Sequence, residues 1–127
     1  MGTGATRQIL NIGLDAPRNP TILRRWLRNE VPAHEQVNRC RSALYTLGYI
    51  TADIERHGDT LVVKLRRPIN EVWLHWLCNQ MHQDSIAVVT QHVQEFLLVW
   101  RGSLVGPACK DYEPFDPAKF IGLPEDY

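Results

Sequence analysis

Residues 49–70 read YITADIERHGDTLVVKLRRPIN, and this stretch decides the fold. Two runs of β-prone residues, 49–56 and 60–66, flank the sequence His57-Gly58-Asp59, which favours a tight turn. A β-hairpin is the simplest arrangement for this pattern. Asn70 then offers a side-chain cap for a helix, so the hairpin leads directly into helical sequence. The stretch therefore predicts a fold that mixes antiparallel strands with helices.

The same patterning extends the prediction to the rest of the chain. Apolar runs bounded by turn residues predict strands, and apolar residues three or four positions apart predict helices. Outside the hairpin we predict strands at 8–14, 86–90 and 96–101, helices at 20–28, 33–47 and 71–82, and a short helical turn at 116–120. The predicted fold class is α+β: a single domain over residues 1–127, with about five mostly antiparallel strands and three helices packed on the sheet.

Composition limits the classes to which the protein can belong. The chain has 127 residues, 44% of them hydrophobic and 22% charged, which is typical of one folded domain. No apolar run reaches the length of a membrane helix, and the first residues lack the pattern of a signal peptide, so we expect no membrane association and a cytoplasmic protein. The three cysteines, at positions 40, 78 and 109, are expected to be free thiols.

The net charge of zero conceals a strong asymmetry between the two halves of the chain. Residues 1–70 carry eleven Lys or Arg and six acids, whereas residues 71–127 carry three and eight. A basic surface of this kind favours a compact anion or an acidic partner. Extended nucleic acid is disfavoured, because proteins that neutralise many phosphates usually have a clearly basic domain.

The first predicted helix concentrates the positive charge. Helical spacing separates two faces. The apolar face carries Leu23, Trp26 and Leu27, and the basic face carries Arg24, Arg25 and Arg28. Few acids accompany these arginines in the sequence, and guanidinium groups bind phosphate through two parallel hydrogen bonds. The basic face is therefore a candidate anion site, with a solvated helix face as the plain alternative. Trp26 and Trp73 are expected in the core.

No catalytic constellation stands out. The chain contains none of the common signatures of nucleotide hydrolases, dehydrogenases, zinc proteases or serine hydrolases. His75, Cys78 and His82 share a helix at spacings that suit zinc, but a buried thiol between partly buried imidazoles accounts for them more simply. We expect no enzyme activity, no metal and no cofactor.

From residue 68 onward the order of motifs resembles a known family. It comprises the helix NEVWLHWLCNQM, the run QDSIAVV, a second strand, LVGP and FDPAKF. This order resembles the phage-encoded anti-Thoeris proteins of the first described type. Those proteins are small α+β sponges that sequester cyclic ADP-ribose isomers made by bacterial TIR-domain defence enzymes. The resemblance covers about three quarters of the chain, and the opening strand and arginine helix also fit it.

The resemblance implies a cyclic nucleotide pocket between subunits of a homo-oligomer, a dimer or hexamer, in the host-cell cytoplasm. It implies binding without cleavage, with basic residues of the first helix and of the C-terminal segment holding the diphosphate. The residues placed at the site in this way are Arg24, Arg25, Arg28, Lys110, Gln83 and Asp84. Trp100 or Tyr112 could stack on the adenine. Residues 91–96 depart from the family by lengthening a turn, and Lys110 lacks the forked donors of arginine.

Trp100 also ends the apolar run FLLVW, which resembles an edge strand and would promote uncontrolled pairing unless another subunit covered it. The run is therefore a second reason to expect an oligomer. Two other classes of function remain open. A protein-interaction module would use the basic helix to bind an acidic host protein. An enzyme would need a general base, for which His34, His82 and Asp84 are the candidates.

Overall fold

A computed structural model describes residues 7–29, 32–91, 95–100, 109–114, 116 and 118–123, with the backbone alone for 95–100 and 109–114. In chain order its elements are β1 (Gln8–Gly13), α1 (Pro20–Arg28), α2 (Ala33–Thr46), β2 (Asp53–His57), β3 (Thr60–Leu65), α3 (Glu71–Met81), β4 (Ser85–Thr90), β5 (Glu95–Trp100) and β6 (Cys109–Pro114). The chain is thus a small α+β domain, as the sequence predicts. None of the described helices is long and apolar enough to cross a membrane.

The strands form one antiparallel sheet in the order β2-β3-β1-β4-β5-β6. The predicted hairpin is confirmed as β2 and β3, whose pairing ends at His57 and Thr60 on either side of the turn. The described part of the chain has six strands rather than about five. Strand β6 was missed in the prediction from sequence because its residues, CKDYEP, lack an apolar pattern. Its pairing with β5 overrides its weak β propensity.

The position of β5 corrects one expectation. The run FLLVW was predicted to resemble an edge strand, but β5 lies between β4 and β6. The outermost strands of the described sheet are β2 and β6. The sequence of β2, DIERH, has exposed charged residues that discourage pairing with other chains. The edge-strand argument for an oligomer is therefore wrong, and the oligomer itself stays a prediction.

The core lies between the sheet and helices α2 and α3. Alternate residues of β1 and β3, such as Leu10, Ile12 and Val63, point to the same side and are fully buried there. Leu44 of α2 and Leu74 of α3 belong to the same cluster of buried side chains. Burial of this face fixes both helices on the sheet, so the polar groups they carry are held in definite places.

Asparagine caps begin two of the helices, as the pair Asn19-Pro20 and the residue Asn70 predict from the sequence. The side-chain oxygen of Asn19 accepts hydrogen bonds from the backbone N–H groups of Thr21 and Ile22 at 2.9 and 3.2 Å. That of Asn70 accepts from Val72 at 2.8 Å. These bonds satisfy N–H groups that have no partner within a helix, and so fix where α1 and α3 start.

The C-terminal segment lies across the second face of the sheet. The side-chain amide of Asn11 in β1 donates to the carbonyl of Ile121 at 3.0 Å and accepts from its N–H at 2.9 Å. Gly122 has a φ of 93°, and a Cβ atom built on it would lie 2.5 Å from Val62 Cγ1. The predicted turn near residue 116 is present, since the N–H of Lys119 donates to the carbonyl of Asp116 at 3.0 Å.

The segment between α2 and β2 differs from the prediction. The sequence assigned a strand from residue 49, but β2 begins at Asp53. Tyr49 instead turns inward, is buried, and donates its hydroxyl to the carbonyl of Pro68 at 2.6 Å. Trp73 packs edge-on against that ring with 6.4 Å between centroids, and remains 39% exposed. The expectation that Trp73 lies in the core is wrong, because α3 buries the face that carries Leu74 and Leu77 instead.

Candidate anion-binding site

Helix α1 presents its arginines much as the sequence predicts, but its apolar face is displaced. Ile22 is the fully buried residue of the helix, Leu23 and Trp26 are half-buried, and Leu27 is 56% exposed. The expectation that Leu27 anchors the helix is therefore wrong. Ile22 lies in the first turn of α1, three residues after the Asn19 cap and five residues before Leu27.

Two of the predicted site residues are exposed on α1. Arg24 and Arg28 are exposed and lie four positions apart, so their side chains are neighbours on the helix surface. Arg25 is half-buried instead, and its Nη1 donates to Oδ1 of Asn79 in α3 at 3.1 Å. Arg25 therefore holds α1 against α3, while Arg24 and Arg28 face solvent.

The arginines of α1 have no carboxylate partner in the described part of the chain. The ion pair found there joins His57 and Glu55 of β2 at 3.0 Å. Two arginines elsewhere in the first half have structural contacts. Arg67 lies over the ring of Tyr49 at 4.2 Å from its centroid, and Arg56 donates to the carbonyl of Gly58 at 2.9 Å. Arg24 and Arg28 are thus two neighbouring exposed cations without a carboxylate partner among the described residues, and the exposed Arg41 and Arg66 also lack one there.

Gln83 and Asp84 hold the loop that leads into α1. The carboxylate of Asp84 accepts from the backbone N–H groups of Arg18 and Asn19, and Gln83 is buried with its Nε2 donating to the carbonyl of Asp15 at 3.0 Å. Charge-assisted bonds to backbone N–H groups are among the stronger hydrogen bonds. These two residues therefore position the start of α1, and their polar groups are already engaged by the protein.

The other predicted site residues are placed by their backbone alone. Trp100 of β5 pairs with Ser85 of β4 on one side and with Cys109 of β6 on the other, and Tyr112 of β6 pairs with Leu97 of β5. Lys110 pairs with Val99. Residues 104–107, which carry LVGP, lie outside the described residues, as do 92–94 within the lengthened turn. The structure thus brings Arg24, Arg25, Gln83 and Asp84 to one region around α1, and puts Lys110 and Tyr112 on the outermost strand β6.

Sequence reasoning missed one polar pair on α2. Gln36 is 7% exposed, yet its Oε1 has no hydrogen-bond partner, and Nη1 of Arg39 is likewise buried without one among the described residues. Arg39 belongs to the basic first half of the chain but was not assigned to the site. The available signal was the position of Gln36, four residues before Cys40 on the apolar stripe of α2, where an unpaired amide is costly.

The described cysteines are buried, which limits the reactivity of their thiols. Cys40 and Cys78 are buried free thiols, and burial raises the pKa of Cys40 to about 12, with Arg41 partly opposing the shift. A thiol of this kind is not a nucleophile at neutral pH. Within the described residues no three His, Cys, Asp or Glu side chains are grouped so as to hold a metal ion, and this includes His75, Cys78 and His82. The thiol of Cys109 lies outside the described side chains.

Comparison of the chain with protein-family models, with curated proteins and with solved structures found no match.

Proposed function

We propose that this protein binds and sequesters a small nucleotide with more than one phosphate, of the class of the cyclic ADP-ribose isomers, without cleaving it. The observation that carries the proposal is the exposed pair Arg24 and Arg28 on α1, which has no carboxylate partner in the described structure. A diphosphate presents two adjacent anionic groups. Two guanidinium groups one helical turn apart can each form paired hydrogen bonds with one of them.

A purely structural role accounts for less of this arrangement. Arg25 and Arg28 lie in the last turn of α1, where cations interact favourably with the helix dipole. That interaction is worth about 0.3–1 kcal/mol at an exposed position and leaves the guanidinium donors unused. Arg25 has a second partner in Asn79, whereas Arg24 and Arg28 have none in the part of the chain that the structure describes. Their unused donors support a ligand role.

The resemblance to anti-Thoeris proteins supplies the rest of the proposal. The chain would assemble as a homo-oligomer in the cytoplasm of a phage-infected cell, and β6 would contribute Lys110 and Tyr112 to the same ligand. Lys110 would add a third positive charge, and Tyr112 or Trp100 would stack on the base. The proposed protein is a binder with neither catalytic residues nor a cofactor.

One observation favours a second function. Leu27 is 56% exposed on the basic helix, next to Arg28 and one turn from Arg24. An exposed apolar side chain beside arginines suits the surface of a protein partner. The alternative is therefore an interaction module that binds and inhibits an acidic host protein. Its affinity would fall steeply with added salt and would not depend on any nucleotide.

A capture experiment tests the proposal against both alternatives. The purified protein is incubated with cyclic ADP-ribose isomers, washed, and denatured by heat, and the released material is identified by mass spectrometry. Recovery of intact ligand from the wild type, and its loss from an Arg24→Ala/Arg28→Ala variant, is the expected result. Arg66→Ala removes an exposed arginine of the same half and serves as the control. Recovery of an altered nucleotide indicates an enzyme, and recovery of none indicates a protein partner.

A further inference from the structure

The described structure contains three buried glutamines, and one of them differs from the other two. Gln8 donates to Thr90 at 3.1 Å and accepts from the N–H of Ile69 at 2.8 Å, and Gln83 donates to the carbonyl of Asp15. Gln36 is equally buried, but its Oε1 has no hydrogen-bond partner among the described residues. The protein satisfies its other buried glutamines, so the Gln36 oxygen requires an explanation.

Arg39 repeats the pattern three residues later. One of its guanidinium nitrogens, Nη1, is buried without a hydrogen bond in the described structure, although Arg39 as a whole is half-buried and so reaches solvent. Residues three apart on a helix are neighbours. Gln36 and Arg39 therefore present an unused acceptor beside an unused donor, and they do not satisfy each other.

The packing of α2 on α3 sets which end of α3 this pair lies toward. Tyr49, just beyond the end of α2, contacts Pro68 and Trp73 at the start of α3. The C-terminal end of α2 thus meets the N-terminal end of α3, so the two packed helices run in opposite directions. The first turns of α2, which carry Gln36 and Arg39, must then lie toward the last turns of α3. There Asn79 holds Arg25 of α1.

Buried polar groups are almost always hydrogen-bonded, because removing them from water without a partner is costly. A buried donor on the partly exposed Arg39 and a buried acceptor on Gln36 are complementary to a ligand group that offers one of each. A phosphate offers acceptors alone and would leave the Gln36 oxygen unsatisfied. The edge of a purine that bears an exocyclic amino group beside a ring nitrogen satisfies both.

We propose that Gln36 and Arg39 bind the base edge of the nucleotide whose phosphates Arg24 and Arg28 hold. This inference rests on the proposed function and names the base-recognition element of the same site. Oε1 of Gln36 accepts from the amino group of the base, and Nη1 of Arg39 donates to the adjacent ring nitrogen. Both side chains are positioning and specificity residues, and no bond is made or broken.

Three probes separate base recognition from phosphate binding in calorimetric titrations of the full chain. They are cyclic ADP-ribose, its hypoxanthine analogue, and inorganic pyrophosphate. In the analogue a carbonyl oxygen replaces the amino group, and N1 is already bonded to ribose. It therefore offers no N–H to Gln36. A site built around such a bond rejects an analogue that lacks the donor. We expect the wild type to bind cyclic ADP-ribose at least about tenfold more tightly than the analogue.

The variants assign this preference to the two side chains. Gln36→Leu and Arg39→Met are each expected to remove the preference for cyclic ADP-ribose while leaving pyrophosphate affinity unchanged. Arg41→Met removes an exposed arginine from the same helix and should leave all three affinities unchanged. Gln36→Glu is a second variant in case an apolar side chain disturbs packing. Its carboxylate should pair with Arg39 and close the site, so it should also lose the preference.

The outcomes distinguish the two proposals. If the wild type binds both cyclic nucleotides equally, or if the Gln36 and Arg39 variants keep its preference, base recognition by this pair is wrong while phosphate binding by α1 stands. If the protein binds pyrophosphate but does not bind cyclic ADP-ribose, the conclusion is the same. If none of the three probes binds, the proposed function is itself overturned. The melting temperature of Gln36→Leu is expected to equal or exceed that of the wild type, because the change removes an unsatisfied buried group.

Discussion

The guanidinium of Arg25 donates to the side-chain oxygen of Asn79 at 3.1 Å, and this bond joins the basic helix α1 to α3 in the core layer. It also separates the arginines of α1 into two kinds. Arg25 is a structural residue, whereas Arg24 and Arg28 are exposed and have no carboxylate partner within the described ranges. The bond thus orients the face that we propose as the anion site.

Removal of the acceptor tests this structural role. Asn79→Ala is expected to lower the free energy of unfolding by about 1 kcal/mol, the usual net contribution of one such hydrogen bond. Denaturation in urea measures the change. Gln80→Ala, at the exposed position that follows on α3, should change stability by less than about 0.5 kcal/mol. Equal effects of the two substitutions would show that the Arg25 bond contributes nothing.

The C-terminal segment should contribute to stability through its contact with the second face of the sheet. Gly58 and Gly122 both have positive φ, but only at Gly122 would an added Cβ meet another residue, Val62, at 2.5 Å. We expect Gly58→Ala to cost about 1 kcal/mol from backbone strain and Gly122→Ala about 3 kcal/mol, because overpacking adds to that strain. The difference between the two, measured by chemical denaturation, reports the packing of the segment on β3.

The pKa of Cys40 predicts an alkaline loss of stability. Burial raises this pKa from 9.0 to about 12, so the folded state retains a proton that the unfolded state releases. The resulting stabilisation is complete below about pH 9 and is lost as the pH rises from there toward the folded pKa of about 12. Cys40→Ala should reduce the fall in unfolding free energy over that range by up to about 1.4 kcal/mol per pH unit.

The control for this effect is Ser42→Ala, an exposed substitution on the same helix that should leave the pH dependence unchanged. The experiment compares urea denaturation at neutral and alkaline pH for both variants and the wild type. A wild-type curve that parallels Cys40→Ala throughout would contradict the assignment of the alkaline loss to this thiol.

The proposed oligomer predicts a mass in solution that is a multiple of 14.6 kDa. Light scattering at micromolar concentration, with and without ligand, measures it directly. Lys110→Ala and Tyr112→Ala in β6 should weaken ligand capture without changing that mass, because the proposal gives them ligand contacts rather than subunit contacts. A monomer with full ligand affinity would exclude a pocket shared between subunits.

Local signals in the sequence sufficed for most of the described fold. Asn19 and Asn70 mark the starts of α1 and α3, and residues 57–60 mark the hairpin, because caps and turns depend on short-range chemistry. The strand β6 could not be found in this way, since CKDYEP has no apolar periodicity and pairs only because β5 is present.

The candidate site was predictable in charge but not in geometry. Helical spacing placed Arg24 and Arg28 on a common face, and the structure agrees. The same spacing could not show that Ile22 would be buried in place of Leu27, since both fit an apolar stripe and tertiary packing chooses between them. The place of Gln36 on the apolar stripe of α2 signalled its burial, but whether its amide and the guanidinium of Arg39 find partners depends on tertiary packing, which no local pattern reveals.

The central claim is that Arg24 and Arg28 hold the phosphates of a small nucleotide, and calorimetric titration with cyclic ADP-ribose tests it most directly. The account predicts that Arg28→Ala binds at least about tenfold more weakly than the wild type, that Arg24→Ala/Arg28→Ala binds more weakly still, and that Arg66→Ala binds as the wild type does. Urea denaturation should show that all of these variants remain folded. Equal affinity of the double variant and the wild type would contradict the claim.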